Sequence, residues 1–187
     1  MTNSARFTIA LLAALGLLFG VVGLLHASSL SLTEQIVAVQ PSLASKTDEP
    51  VDADELARAI ASVPKVNRDW AALMLAVAAH ESALSDRIRR GECRPKECDG
   101  GRAWSLWQQH RNKLNAASWG SPDLGVQTAE AARALRRAFY QCNGGGRPLG
   151  ADWVARTISA FAGHSCDAIW PGLESRLVTF KRVRRAL

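Results

Sequence analysis

Nowhere does this chain alternate polar and apolar residues over the length of a strand, and that excludes an all-β barrel or sandwich. It has no helix-turn-helix signature, no zinc-finger spacing and no basic motif interleaved with aromatics. Nucleic acid is therefore set aside as a partner, although the net charge is +6. Cysteines number only four, and Cys142 and Cys166 stand too far apart to form the second close pair of a tetrathiolate zinc site. No metal or other cofactor is expected. Tyrosine occurs once, as Tyr140, beside six tryptophans. At 187 residues the chain suits one domain with extensions, not two domains, and a monomer is expected.

The positive charge is unevenly spread. Residues 1–53 hold two basic side chains (Arg6, Lys46) and four acidic ones (Glu34, Asp48, Glu49, Asp52), which leaves 21 against 13, or +8, from Asp54 onward. A cationic domain concentrates anionic polymers, among them cell-wall glycan with its peptide carboxylates. Phe7 to Leu25 is an uncharged apolar run of nineteen residues, close to the roughly twenty that span a bilayer as a helix. It reads as a signal peptide or a signal anchor occupying residues 1–27. Ala27 and Ser29 stand at the small-residue positions of a cleavage site, and Gly16, Gly20 and Gly23 suit helix packing if the segment is kept. Both readings export the domain, to the periplasm, the inner-membrane surface or the medium, with the membrane as a partner if the segment stays.

Residues 28–53 are rich in Ser, Thr, Pro, Gln and Asp with little periodicity, and read as a flexible tether. Beyond them the pattern is helical. Asp52 to Glu55 opens a short helix over Leu56, Ile60 and Val63 that Pro64 stops, and Asn67 caps a longer one running to Leu84. Ser85-Asp86, Gly91, Pro95, Gly100 and Gly101 mark an irregular loop with a small β-like excursion near Cys93. Leu124 to Tyr140 is amphipathic, Ala151 to Ala162 is helical after Gly144-Gly145-Gly146, and Leu173 to Val183 is the last helix. The fold expected is mainly α, a helical domain over residues 54–187. In an exported chain four cysteines point to disulfides, with three connectivities open; the local pairing, Cys93 with Cys98 and Cys142 with Cys166, suits the layout best.

Glu81 is the most informative residue. Trp70, Met74, Val77 and Glu81 follow one another at helical spacing, so the carboxyl shares the apolar side of its helix. Desolvation and the negative helix end both oppose its ionisation, which suits a general acid. The competing reading is a rim glutamate paired with Arg87 or Arg89.

His80-Glu81-Ser82 is followed by Gly101-Arg102-Ala103-Trp104-Ser105-Leu106-Trp107-Gln108-Gln109 and then by Ser159-Ala160-Phe161-Ala162-Gly163. This order resembles the lysozyme-like superfamily, and within it the soluble lytic transglycosylases and goose-type lysozymes. In that group a Glu-Ser pair ends a buried helix, a Gly-Leu-Met-Gln segment lines the sugar groove, and an Ala-Tyr-Asn-x-Gly segment closes it. The resemblance covers Asp54 to Leu187. It implies a lysozyme-like domain in which Glu81 is catalytic and Ser82, Ser105, Gln108 and Phe161 contact substrate. Phe161 stands at the tyrosine position without a hydroxyl, which leaves that role to Tyr140 or another group. Trp104 and Trp107 flank the groove motif, where indoles can stack on sugar rings or simply pack, and Gln108 suits an N-acetyl group.

The activity so implied is cleavage of the β-1,4 bond between N-acetylmuramic acid and N-acetylglucosamine in peptidoglycan. A second carboxylate, which ordinary glycosidases require, is not evident; Glu92, Asp99 and Asp123 are candidates outside any motif. Its lack favours a lytic transglycosylase forming 1,6-anhydro ends over a hydrolytic muramidase. A catalytically silent glycan-binding scaffold is the reading from another class.

Overall fold

A computed structural model describes residues 30–46, 48–94, 96–144 and 152–187. Phe7 to Leu25, the cleavage positions, Gly145, Gly146 and Ala151 lie outside these. Among the described residues no helix is long and apolar enough to cross a membrane. The helices, in chain order, are α1 (Leu32–Val39), α2 (Ala53–Ala61), α3 (Arg68–Ser82), α4 (Asp86–Arg89), α5 (Cys98–Gly101), α6 (Leu124–Asn143), α7 (Trp153–Phe161) and α8 (Leu173–Ala186). The only sheet among the described residues pairs β1 (Ala103–Trp104) with β2 (Gln109–His110), antiparallel. The domain is mainly α, as expected. The β excursion expected in the Cys93 loop comes just after it, at Ala103–Trp104.

Helix α3 is the axis of the packing. Its Ala-, Leu- and Met-rich sequence forms helix readily, and Asn67 caps it by accepting the Trp70 amide at 3.0 Å. From Ala71 to Ala78 every residue is buried, because α8 covers one side and α2 and the hairpin loop the others. A helix apolar all round is a core helix. It ends where Ala83 and Leu84 turn left-handed, at φ 51° and 55°. Around it α6 packs on α7, α7 on α8, and α2 on α6. Asp123 caps α6 by accepting the Val126 amide at 2.8 Å, and Gly144, at φ 63°, ends it.

Residues 32–53 are not a tether. Leu32, Ile36, Val39 and Leu43 recur at helical spacing, and Ile36, Val39, Leu43 and Val51 enter the main core. The polar residues between them hid that period. Gln40 donates to the Val51 carbonyl at 2.8 Å, while Ser45 and Val51 donate to the Ala83 and Leu84 carbonyls at 2.9 and 2.8 Å. This segment thus buttresses the left-handed turn at the end of α3. The domain begins at Leu32, not Asp54.

Both disulfides form as expected, Cys93–Cys98 and Cys142–Cys166, with Cα separations of 6.0 and 5.4 Å. All four cysteines are thereby used. The first closes the loop after α4, which is also tied down by ions. Arg87 bonds Glu97 at 2.8 Å and Asp48 at 3.1 Å, and Arg94 bonds Asp48 at 2.8 Å. The guanidinium of Arg87 holds both carboxyls below their ordinary range.

Candidate active-site cleft

One cleft of about 600 Å³ lies where the C-terminal end of α3 meets the hairpin, α6 and the start of α8. Small-molecule sites commonly fall between about 300 and 1,000 Å³. Glu81 stands at the end of α3, and Trp107 to His110 form the hairpin side. Glu130, Ala134, Arg137 and Gln141, spaced by three or four along α6, present one face to it, with Ala138 beside them. Ala160 to His164, Trp170 and Arg176 close the far side.

Glu81 is where the sequence places it, at the cleft, with its side chain 21% exposed. Its partner is new. Arg176 donates from Nη2 at 2.6 Å and from Nε at 3.2 Å, both to Oε1. Oε2 accepts no hydrogen bond among the described residues, so one carboxyl oxygen is anchored and the other is open. Arg87 and Arg89, the arginines near in sequence, are engaged elsewhere, with Asp48 and Glu97 and with Asp86.

Arg176 is itself held on two sides. Its guanidinium lies 4.8 Å from the Trp170 ring, and Nη1 donates to the Gly172 carbonyl at 3.2 Å. Trp170 in turn donates to Ser159 Oγ at 3.1 Å and stacks on His164 at 4.6 Å. Gly172 makes the approach possible: it sits at φ 96°, and a Cβ there would lie 2.8 Å from Arg176 Nη1 and 3.2 Å from Trp170. Phe161 lines the cleft, half-buried, and offers Glu81 no hydrogen bond; those that Glu81 accepts come from Arg176. Tyr140 does not fill that place. It lines a different recess with Trp70, Phe139 and Trp153.

Other expected contacts are redistributed. Ser82 is buried and donates to the Ala78 carbonyl at 2.9 Å, so its hydroxyl serves the helix and does not line the cleft. Trp107 is completely buried and donates its indole N–H to the Met74 carbonyl at 2.9 Å; it is a floor beneath the cleft, with no ring face free for a sugar. Trp104 is also buried, packs on Trp119 at 5.5 Å and lies in a separate recess. Ser105 is buried outside the cleft at φ 74°, and its hydroxyl accepts the Trp107 amide at 3.2 Å. Glycine adopts such a φ freely, and a serine there carries a backbone cost. Gln108 does line the cleft, though its Nε2 is bonded to the Ser105 carbonyl at 3.0 Å. Gln109, beside it, has a buried amide nitrogen without a partner.

None of the three candidate second carboxylates reaches the cleft. Glu92 pairs with Arg90, Asp99 with Arg102 and His110, and Asp123 caps α6. Glu130 was missed. It is buried in the cleft wall, where Ser118 donates to Oε1 at 2.5 Å and Arg133 reaches both oxygens. Burial pushes its pKa up, but the Arg133 and Ser118 hydrogen bonds outweigh that and hold it below the ordinary value. Its sequence signal was a carboxylate four residues before the small Ala134 on an otherwise buried arc. Arg176 had no local signal, being 95 residues from Glu81.

Among the described residues no cluster of His, Cys, Asp and Glu is placed to hold a metal. Comparison with protein-family models, with curated proteins and with solved structures returns no match.

Proposed function

We propose that this domain cleaves the β-1,4 bond between N-acetylmuramic acid and N-acetylglucosamine in peptidoglycan, as a lytic transglycosylase on a lysozyme-like fold. The observation that carries the reading is Glu81: a carboxyl at the end of a buried helix, opening into the cleft, with one oxygen anchored by Arg176 and the other unpartnered among the described residues. A proton on Oε2 faces the site of a glycosidic oxygen while Oε1 keeps its arginine bond. When the proton leaves, the guanidinium compensates the new charge without moving. The order of the Glu81-Ser82, Ser105 to Gln108 and Phe161 segments supports the same family.

Transglycosylation is favoured over hydrolysis by the state of Glu130. Arg133 and Ser118 already occupy both its oxygens, so it has little capacity to activate water. Glu81 then takes both roles, first donating to the leaving oxygen and next accepting the proton of the muramic 6-hydroxyl, which closes the anhydro ring. The two disulfides accord with an oxidising, exported location.

The test is mass spectrometry of fragments released from purified peptidoglycan by the full-length protein. Anhydro ends are expected. Reducing ends would replace transglycosylase by muramidase, and binding without release would replace the enzyme by a scaffold.

A further inference from the structure

Val178, Lys181, Arg182 and Arg185 recur at helical spacing along α8 and so form one stripe on its outer face. All four are exposed, Val178 to 60%. None of the three cations forms an ion pair among the described residues; Arg182 reaches only the Ser42 carbonyl, at 3.5 Å. Arg184, on another side of the helix, is spent on Asp69, and the only acid on α8 is Glu174, one turn before Val178. A helix turns about 100° per residue, so Arg185 stands half a turn round from Arg176, and Val178 nearly so. The arginine that holds Glu81 and the basic stripe thus occupy opposite sides of α8.

An exposed apolar side chain among uncompensated cations suits the boundary between lipid headgroups and acyl chains, where the cations meet phosphate and the valine leaves water. A soluble polyanion would reward the cations and leave Val178 wet. The sequence brings a bilayer within reach. Only His26 to Ser31 separate the apolar run Phe7 to Leu25 from α1, a stretch that spans about 25 Å at most, and α1 packs on α8.

We propose that the outer face of α8 docks on an anionic phospholipid surface and holds the domain with its cleft turned away from the membrane. A basic patch binds weakly alone, and the apolar run is the second signal that stable attachment needs. The proposal does not rest on the glycan reading, since no substrate takes part in the docking.

The experiment places an environment-sensitive dye on the full-length protein. All four native cysteines are paired, so Val178→Cys carries the only free thiol, and Leu114→Cys, on the exposed cleft rim, serves as the second position. Each labelled protein is mixed with vesicles of brominated phosphatidylcholine, alone or with an equal part of phosphatidylglycerol, and quenching by the bromines reads contact with the bilayer. The dye at 178 should be quenched on the anionic vesicles and much less on the neutral ones, and the dye at 114 on neither. Each basic side chain at an anionic surface favours docking about fivefold, so adding Lys181→Gln and Arg185→Gln together should weaken docking on the order of 25-fold, with an unchanged circular dichroism spectrum. Absence of quenching at 178 on anionic vesicles, equal quenching on both kinds, or quenching that survives the double substitution would each overturn the proposal. Equal quenching at 114 and 178 would overturn the orientation. Unchanged quenching in the double variant with weakened sedimentation on purified peptidoglycan would assign the stripe to the wall polymer instead.

Discussion

Replacing Trp107 by alanine separates a core role from a sugar-binding one. The indole is fully buried, packs in the main cluster with Leu106 and Met74, and spends its N–H on the Met74 carbonyl. Truncating a buried tryptophan to alanine costs about 3–5 kcal/mol, from lost transfer energy and an unfilled cavity. The Met74 carbonyl lies inside α3 and keeps its helical partner, so loss of the indole bond adds only about 0.5–1.5 kcal/mol. For a domain of this size each kcal/mol lowers Tm by about 2–4 °C, which places the fall at about 7–26 °C. Trp107→Phe keeps most of the volume and should lose only a fraction of that. The assay is thermal unfolding by circular dichroism, paired with binding of a soluble muropeptide oligomer in the cold. A variant that melts within 2 °C of wild type yet loses more than tenfold in affinity would refute the placement of this ring in the core.

Glu81→Gln should abolish glycan release while leaving Tm nearly unchanged, since glutamine keeps an oxygen for Arg176; near-normal release of fragments would remove Glu81 from the mechanism. Ser105→Gly should be more stable than Ser105→Ala by about 1 kcal/mol, because both lose the hydroxyl that accepts the Trp107 amide and only alanine keeps the left-handed cost; denaturant unfolding of the two variants decides it. Breaking Cys142–Cys166, which spans 24 residues, by a double change to serine should cost about 3 kcal/mol, and an unchanged melting curve would count against the bridge. Glu130 titrates below its ordinary value in the folded protein, so its stabilisation is complete above the unfolded carboxylate range and is lost as pH falls through the folded value. Glu130→Gln should accordingly flatten the acid limb of stability against pH, and an identical limb in the variant would show that the carboxylate is not held by Arg133 and Ser118.

The longer helices from Asp52 onward were legible because their signals are local: Asn67 and Asp123 cap as their side-chain chemistry dictates, and periodic apolar residues mark the faces; the single turns Asp86–Arg89 and Cys98–Gly101, too short to show a period, read as loop. The pairing of the cysteines followed from proximity along the chain. Glu81 was found for a reason that the structure alters. Its helix is buried all round from Ala71 to Ala78, so a special face was not what distinguished it; its place in the last turn of the helix, where the core opens into the cleft, was.

Tertiary structure alone decided the surroundings of that carboxyl. Arg176 is brought in from α8 by the packing of α8 on α3 and by a glycine that lets Trp170 and the guanidinium come close, relations that no spacing in the chain encodes. The same holds for Trp107, whose loop left stacking and packing equally open until the Met74 carbonyl beneath it settled the matter. Residues 32–53 show the limit most clearly. Four apolar side chains among polar ones had too weak a pattern to stand as a helix in isolation, and they form one because the open end of α3 offers a surface to bury them and carbonyls for the backbone to bond. Capping chemistry and apolar period are properties of a segment and are written in it; which arginine meets which carboxylate is a property of the packed whole.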